Sequence, residues 1–238
     1  MTRFARGLDG CPAGWVAVTL QDGRVADVEV VAHAHEVLVD DRAPGAMVGI
    51  DMPIGLLDAP NREADVAARR LVPGRASSIF NPPPRTVVDG FVEGSVTDHA
   101  TASARSVAVT GKGISQQAWR LVPKIAELDR AVAGGAALLE VHPEVAFAIL
   151  AGEPLPRKRS WSGLTTRRGL LERCGIVLPE RFPGDADCAP DDVLDAAICA
   201  WVADGVVAGE RPLTVPDRPT EFDRGRPIVI HARRPPPA

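Results

Sequence analysis

Phe4-Ala5-Arg6-Gly7-Leu8-Asp9-Gly10-Cys11-Pro12-Ala13-Gly14-Trp15-Val16-Ala17-Val18-Thr19-Leu20 decides the fold. Residues 3–9 read as a strand that ends on Asp9, Cys11 to Gly14 as a tight turn, and Trp15 to Leu20 as the returning strand. Gln21-Asp22-Gly23-Arg24 is a second turn, and Val25 to Ala32 alternates as a third strand, so the chain opens with an antiparallel meander. His33 to Arg42 suits a short helix, with Val37 and Leu38 facing inward. Ala46-Met47-Val48-Gly49-Ile50 is wholly apolar, as expected of a strand in the middle of a sheet covered on both faces. Pro53 ends it, because proline donates nothing to a strand ladder.

Further along, residues 61–72 fit a helix with Asn61 as its cap, and residues 73–90, rich in Pro, Ser and Arg, read as a long loop. Ser115 caps a helix over 115–133, with a kink expected near Pro123. Ala137 to Val141 is a fifth strand. Pro143 opens a short helix to Leu150, and 162–173 form a basic helix. Asp191 to Val207 is the last helix, with an apolar stripe of Val193, Leu194, Ile198, Trp201, Val202 and Val206. Beyond it, only Pro227 to His231 reads as an edge strand. The expected fold class is α/β: a mixed five-stranded sheet, three antiparallel strands then two parallel, flanked by helices. We expect one domain over 1–208, with an insertion at about 57–136 and a Pro/Arg-rich extension over 209–238.

The chain has 238 residues, 45% hydrophobic and 24% charged, with a net charge of −4. This is the balance of a soluble globular protein rather than a basic nucleic-acid coat. No apolar run approaches the roughly 18–20 residues that span a bilayer, so no membrane partner is expected, and the start of the chain lacks the apolar stretch of a signal peptide. A cytoplasmic location is the expectation. Cys11, Cys174, Cys188 and Cys199 form no CxxC pair, which argues against a zinc knuckle and for small buried or turn thiols.

Three acidic motifs stand out: Asp9 and Asp51 where apolar strands stop, and Asp191-Asp192-Val193-Leu194-Asp195-Ala196 opening an apolar helix. Unpaired buried charge costs several kcal/mol (~ estimate), so carboxylates placed this way point to one shared site holding a cation. Asp192 and Asp195, at i and i+3, share a helix face, whereas Asp191 suits a cap. Glu140 and His142 sit at the end of the fifth strand, and Glu144 falls in a helix's first turn, where negative charge is favoured. Cationic groups for an anionic substrate are Arg157, Lys158, Arg159, Arg167, Arg168 and Arg173 in one segment, and Arg62, Arg69, Arg75 and Arg85 in the insertion. Each of these also suits a solvated surface charge or, for Arg, a pair with Asp65. Trp15, Trp119 and Trp161 are candidates for stacking on bases, with a core role as the alternative.

The motifs Leu8-Asp9-Gly10-Cys11-Pro12-Ala13-Gly14-Trp15, Ile50 to Leu56, Arg62-Glu63-Ala64-Asp65, Arg75 to Phe80, Ser115-Gln116, Pro123-Lys124-Ile125, Glu140 to Glu144 and Asp191 to Ala196 together resemble family 429 of domains of unknown function. That family is described as predicted nucleases of the ribonuclease H-like fold. The resemblance spans about residues 8–205. It implies a divalent-metal-dependent nuclease or phosphodiesterase binding Mg²⁺ or Mn²⁺ and acting on nucleic acid. The last helix is also similar to that of Holliday-junction resolvases, which carries Asp-x-x-Asp-Ala. By that likeness Asp9, Asp51, Asp192 and Asp195 are the metal ligands and catalytic acids; apart from it, Glu140 at the end of the fifth strand is a candidate additional acid. Resolvases carry Glu where this chain has Asp51, one methylene shorter. The resemblance alone adds Ser77, Ser78, Ser115 and Gln116 as polar substrate contacts, beside the cationic candidates Arg62, Arg69, Arg75, Lys124 and Lys158. Two other classes stay open: an actin-like or sugar-kinase-like phosphotransferase, whose duplicated sheet is hard to fit into this length, and a non-catalytic module binding nucleic acid or protein on the same fold.

Overall fold

The computed structural model describes residues 2–39 and 42–236. Its centre is a sheet formed by β1 (Phe4–Cys11), β2 (Gly14–Gln21), β3 (Arg24–Val31), β4 (Met47–Ile50) and β5 (Leu138–Glu140), in the order β3-β2-β1-β4-β5. β1, β2 and β3 pair antiparallel; β4 runs parallel to β1, and β5 parallel to β4. The mixed α/β sheet expected from the sequence is the one observed.

Alternation along β2 divides the core. Val16, Val18 and Leu20 face one side, against α6 (Pro143–Ala151), α7 (Trp161–Arg173) and α8 (Pro190–Val207). Trp15 and Ala17, with Leu8, Val48 and Ile50, face the other, against α1 (Ala34–Leu38), α3 (Arg85–Val92) and α5 (Gln116–Ala133). A sheet covered on both faces explains why β4 is apolar throughout.

The seam between α8 and the sheet is set by two glycines. A Cβ on Gly7 would lie 1.9 Å from the Ala196 carbonyl oxygen, and one on Gly49 would lie 2.3 Å from that of Cys199. Both neighbours are backbone atoms, so nothing short of moving the helix makes room. This close approach brings the first turns of α8 to the ends of β1 and β4. Gly7→Ala is expected to destabilise the fold by about 1–3 kcal/mol through this overlap, read as a fall in the urea midpoint at unchanged slope. A midpoint within error of wild type would mean that the helix does not need this contact.

The insertion between β4 and β5 holds more helix than the sequence suggests. After α2 (Glu63–Leu71) and a 3₁₀ turn at Ala76–Ser78, the segment read as loop to residue 90 turns helical at Arg85, straight after Pro82-Pro83-Pro84. α4 (His99–Thr110) follows, capped by the Asp98 side chain. The α2 cap is Arg62 rather than Asn61, while Ser115 does cap α5, and α5 runs on through Pro123. α1 is shorter than the helix read from 33 to 42, and positions 40 and 41 lie outside the described residues.

The segment after α8 folds back onto the insertion. β6 (Leu213–Val215) pairs with β9 (Ile230–Ala232), and β7 (Phe222–Asp223) with β8 (Arg226–Pro227). Val215, Ile228 and Ile230 join a small core with Ala64, Ala68 and Val145. His231 makes a parallel bridge to Val141, just beyond β5. The edge strand read at 227–231 therefore begins three residues later, at Ile230. No described helix is long and apolar enough to cross a membrane.

Candidate functional site

Asp9 lies near the end of β1, and Asp51 immediately follows β4. The Asp51 amide donates to the Leu8 carbonyl at 3.0 Å, which continues the parallel ladder and sets the two carboxylates side by side. Asp195 arrives from α8 over the glycine seam. One oxygen from each of Asp9, Asp51 and Asp195 lies within 4.8 Å of the others. Asp9 and Asp195 are buried, while Asp51 is partly exposed to a cleft of about 290 Å³, which is also lined by Arg75, Ser78, Gln117, His142, Glu144 and Lys158. The Gly10 amide donates to Asp9 at 2.8 Å. Asp195 Oδ2 accepts from Lys158 Nζ at 2.5 Å, but its Oδ1 is buried and has no hydrogen-bond partner among the described residues.

Burial and mutual repulsion raise all three acids. Asp9 is pushed well above the usual carboxylate range by burial, then by Asp51 and Asp195. Burial raises Asp51 to about 7 against the pull of Lys158, with Glu144 and Asp192 adding to the rise. Burial likewise raises Asp195 to about 7, with Lys158 opposing and Asp51 adding. Burial disfavours the Lys158 charge, but Asp195, Asp9 and Asp51 outweigh it and hold the ammonium protonated. A cluster this rich in negative charge, held by one lysine and with an orphaned buried oxygen, is chemically suited to a cation. An all-oxygen donor set fits a hard divalent ion such as Mg²⁺ or Mn²⁺.

The capping role read for Asp191 falls to Asp192, while Asp191 joins no ligand group among the described residues. Asp192 Oδ2 accepts from the Ala189 amide at 3.0 Å and so closes its own helix's N-terminus, and it is not among the converging oxygens. Asp191 is buried and pairs with Arg159 at 3.1 Å and with Lys158 at 3.5 Å. It sits four residues from Asp195, one turn along the same face.

Glu140 is already engaged. Arg62 grips it through Nη1 at 2.9 Å and Nη2 at 2.6 Å, and the Ile54 amide donates to it at 2.6 Å. The same guanidinium holds Asp65 at 2.9 and 2.7 Å and the Gly55 carbonyl at 3.0 Å. This clamp is interior and supports the turn after Asp51 from beneath, so neither Arg62 nor Glu140 opens onto the cleft. Arg69 donates to the Ile79 carbonyl and to Asn81, bracing the segment that carries Ser77 and Ser78. Ser77 is exposed; Ser78 reaches the cleft wall, with its hydroxyl on the Arg75 carbonyl.

Ser115 is engaged as the α5 cap, with Gln116 the first residue of that helix; its neighbour Gln117 lines the cleft. Lys124 donates to the Gly14 carbonyl and lies over the Trp15 ring at 4.4 Å, so it braces the β1–β2 turn. Trp15 is buried, with its indole N–H on Glu127 at 3.2 Å, and Trp119 packs edge-on against Phe91. Of the three tryptophans considered for stacking, Trp161 is exposed.

Sequence reasoning read Glu144 only as a first-turn charge and Arg167 only as one of a basic group, and missed that the two pair. Arg167 is fully buried, donates to Glu144 at 2.9 Å and lies over the Phe147 ring. Arg75 approaches Glu144 from the other side at 3.4 Å. The signal was the Arg167 position on the inner face of an otherwise basic helix, three residues before buried Leu170. His142 caps the front of α6 with Nδ1 buried and unpartnered among the described residues, and burial lowers its pKa, keeping the imidazole neutral.

The sequence profile of one family, Protein of unknown function (DUF429), matches residues 7–221, and the chain belongs to that family. No curated protein and no solved structure matches it.

Proposed function

We infer that the protein is a divalent-metal-dependent phosphodiesterase acting on nucleic acid, a nuclease on a ribonuclease H-like sheet. The observation that carries this reading is the convergence of Asp9, Asp51 and Asp195 from three separate elements on one cleft, with the Asp195 Oδ1 buried and without a hydrogen-bond partner among the described residues. Mg²⁺ or Mn²⁺ would be held by these three carboxylates. Asp192 supports the site through the field at its helix terminus rather than as a ligand. When bound, such ions supply activation of a water and stabilisation of the leaving oxygen of a phosphodiester.

The chain's own groups supply the rest. Lys158, protonated and partly exposed at the cleft beside Asp195, would offer its ammonium to a non-bridging phosphate oxygen. Arg75 stands at the far wall with its charge shared with Glu144, placed for the flanking phosphate. His142 lines the same cleft; neutral, with a buried Nδ1 that has no partner among the described residues, it would accept a hydrogen from a bound water or hydroxyl. Glu140 and Arg62 hold the Asp51 turn in place without touching substrate. The reading extends to a cytoplasmic location.

The test is cleavage of a panel of DNA and RNA, branched and single-stranded, with Mg²⁺ or Mn²⁺ and with chelator. Cleavage is expected to need the metal and to fall at least about 10³-fold in Asp9→Asn and in Asp195→Asn. No cleavage of any substrate by well-folded, metal-loaded protein would overturn the nuclease reading and leave a binding module on the same fold.

A further inference from the structure

A second cluster of metal-ligating side chains lies outside the acidic cleft. His33 follows β3, His35 lies in the first turn of α1, and Glu127 comes from the middle of α5. One donor atom from each lies within 4.8 Å of the other two. His33 Nδ1 stands 4.0 Å from Glu127 Oε1, and the two imidazoles stack with centroids 5.5 Å apart. We propose that His33, His35 and Glu127 form a binding site for Zn²⁺ or a similar borderline transition-metal ion, separate from the carboxylate site and independent of the nuclease reading.

The donor set decides which kind of ion fits. Two imidazole nitrogens and one carboxylate oxygen suit Zn²⁺, with a water in the fourth position, and suit Mg²⁺ poorly. Tetrahedral ligands about 2.0–2.1 Å from zinc stand roughly 3.3 Å apart. The two imidazoles are exposed, so their rotation is the motion available to close the present spacing.

The third ligand is already fixed. Glu127 Oε1 accepts from the Ala34 amide at 2.7 Å, and Oε2 accepts from the Trp15 indole N–H at 3.2 Å. Each oxygen keeps a further lone pair, so these bonds orient the carboxylate toward the histidines without exhausting it. The ion would therefore tie together the end of β3, the start of α1 and α5.

The same contacts lead toward Asp9. Lys124, one helical turn from Glu127, covers Trp15 and donates to the Gly14 carbonyl. Its side chain also packs 3.4 Å from where a Cβ on Gly10 would lie, and the Gly10 amide donates to Asp9. The site therefore acts as a structural brace for the β1–β2 turn, and its occupancy is readable at the Trp15 indole.

The experiment is calorimetric titration of the full chain with ZnCl₂ in the presence of millimolar Mg²⁺, alongside proton–nitrogen spectra of the indole N–H groups. Wild type is expected to bind one Zn²⁺ per chain and to shift the Trp15 indole resonance, which Mg²⁺ alone leaves in place. The His33→Ala/His35→Ala variant removes only exposed rings, so it keeps the fold; it is expected to lose Zn²⁺ affinity about 100-fold and the indole shift. The Asp9→Asn/Asp195→Asn variant is expected to retain both. Zinc affinity within threefold of wild type in the double-histidine variant would overturn the proposal. So would zinc binding that disappears with the aspartates and survives without the histidines.

Discussion

Arg62→Ala is expected to destabilise the protein by about 3–5 kcal/mol, because it leaves two buried carboxylates without their common partner. Side-chain exposure is 3% for Arg62, 3% for Asp65 and 6% for Glu140, so water replaces little of what the guanidinium supplies. Burial opposes the Arg62 charge, yet Glu140 and Asp65 together hold it firmly protonated. At roughly 2–4 °C per kcal/mol for a chain of this size, the midpoint of thermal unfolding should fall by about 10 °C. Arg62→Lys keeps the charge but loses the fork that spans both acids, so an intermediate loss is expected. The triple replacement Arg62→Met/Asp65→Leu/Glu140→Met removes all three charges together and should recover much of the stability lost in Arg62→Ala. A loss under 1 kcal/mol in Arg62→Ala would show that the network is not what holds the Asp51 turn.

That clamp also marks where sequence reasoning reached its limit. Strands β1 to β4 were legible because turns at Pro12-Ala13-Gly14 and Asp22-Gly23 punctuate alternating or wholly apolar runs, and a local pattern suffices for such elements. α3 was not legible, since three prolines precede it and a proline-rich run reads as loop. α4 was not legible either: among its twelve residues only Ala102 and Ser106 are buried, so it carries almost no apolar stripe. The site divides the same way. Asp9 and Asp51 stand out because each ends an apolar strand, and the Asp195 position follows from helical spacing. That Asp192 rather than Asp191 closes the helix depends on where the chain enters α8, with Ala189 donating to Asp192, and a one-residue shift of a helix start lies below the resolution of a pattern. Arg62 and Glu140 are 78 residues apart in sequence, and only the fold makes them partners rather than a substrate contact and a catalytic acid.

Raising the pH from 5 to 8 is expected to weaken the metal-free protein, and Mg²⁺ is expected to restore it. Asp51 and Asp195 sit near 7 when folded and return to about 3.9 when the chain unfolds. An acid whose pKa is raised by folding binds its proton more tightly in the native state. Its contribution is therefore fully present below about pH 4 and is lost as the pH climbs through 7. Between pH 5 and 8 the loss from this cluster should amount to about 1–3 kcal/mol, or roughly 3–10 °C in the melting midpoint. A divalent ion selects the ionised carboxylates, so its stabilisation should grow across the same window. At pH 8, Mg²⁺ at about 100 times its dissociation constant adds about 2.7 kcal/mol. Asp195→Asn removes one of the mutually repelling charges and one ligand at once. The variant should therefore melt higher than wild type at pH 8 without metal and lose the rise with Mg²⁺. The two shifts have opposite signs, which separates a metal site from a set of acids that merely support the fold. If Asp195→Asn melts lower than wild type at pH 8 and Mg²⁺ still stabilises it by the same increment, the converging carboxylates are a structural feature and the ion binds elsewhere.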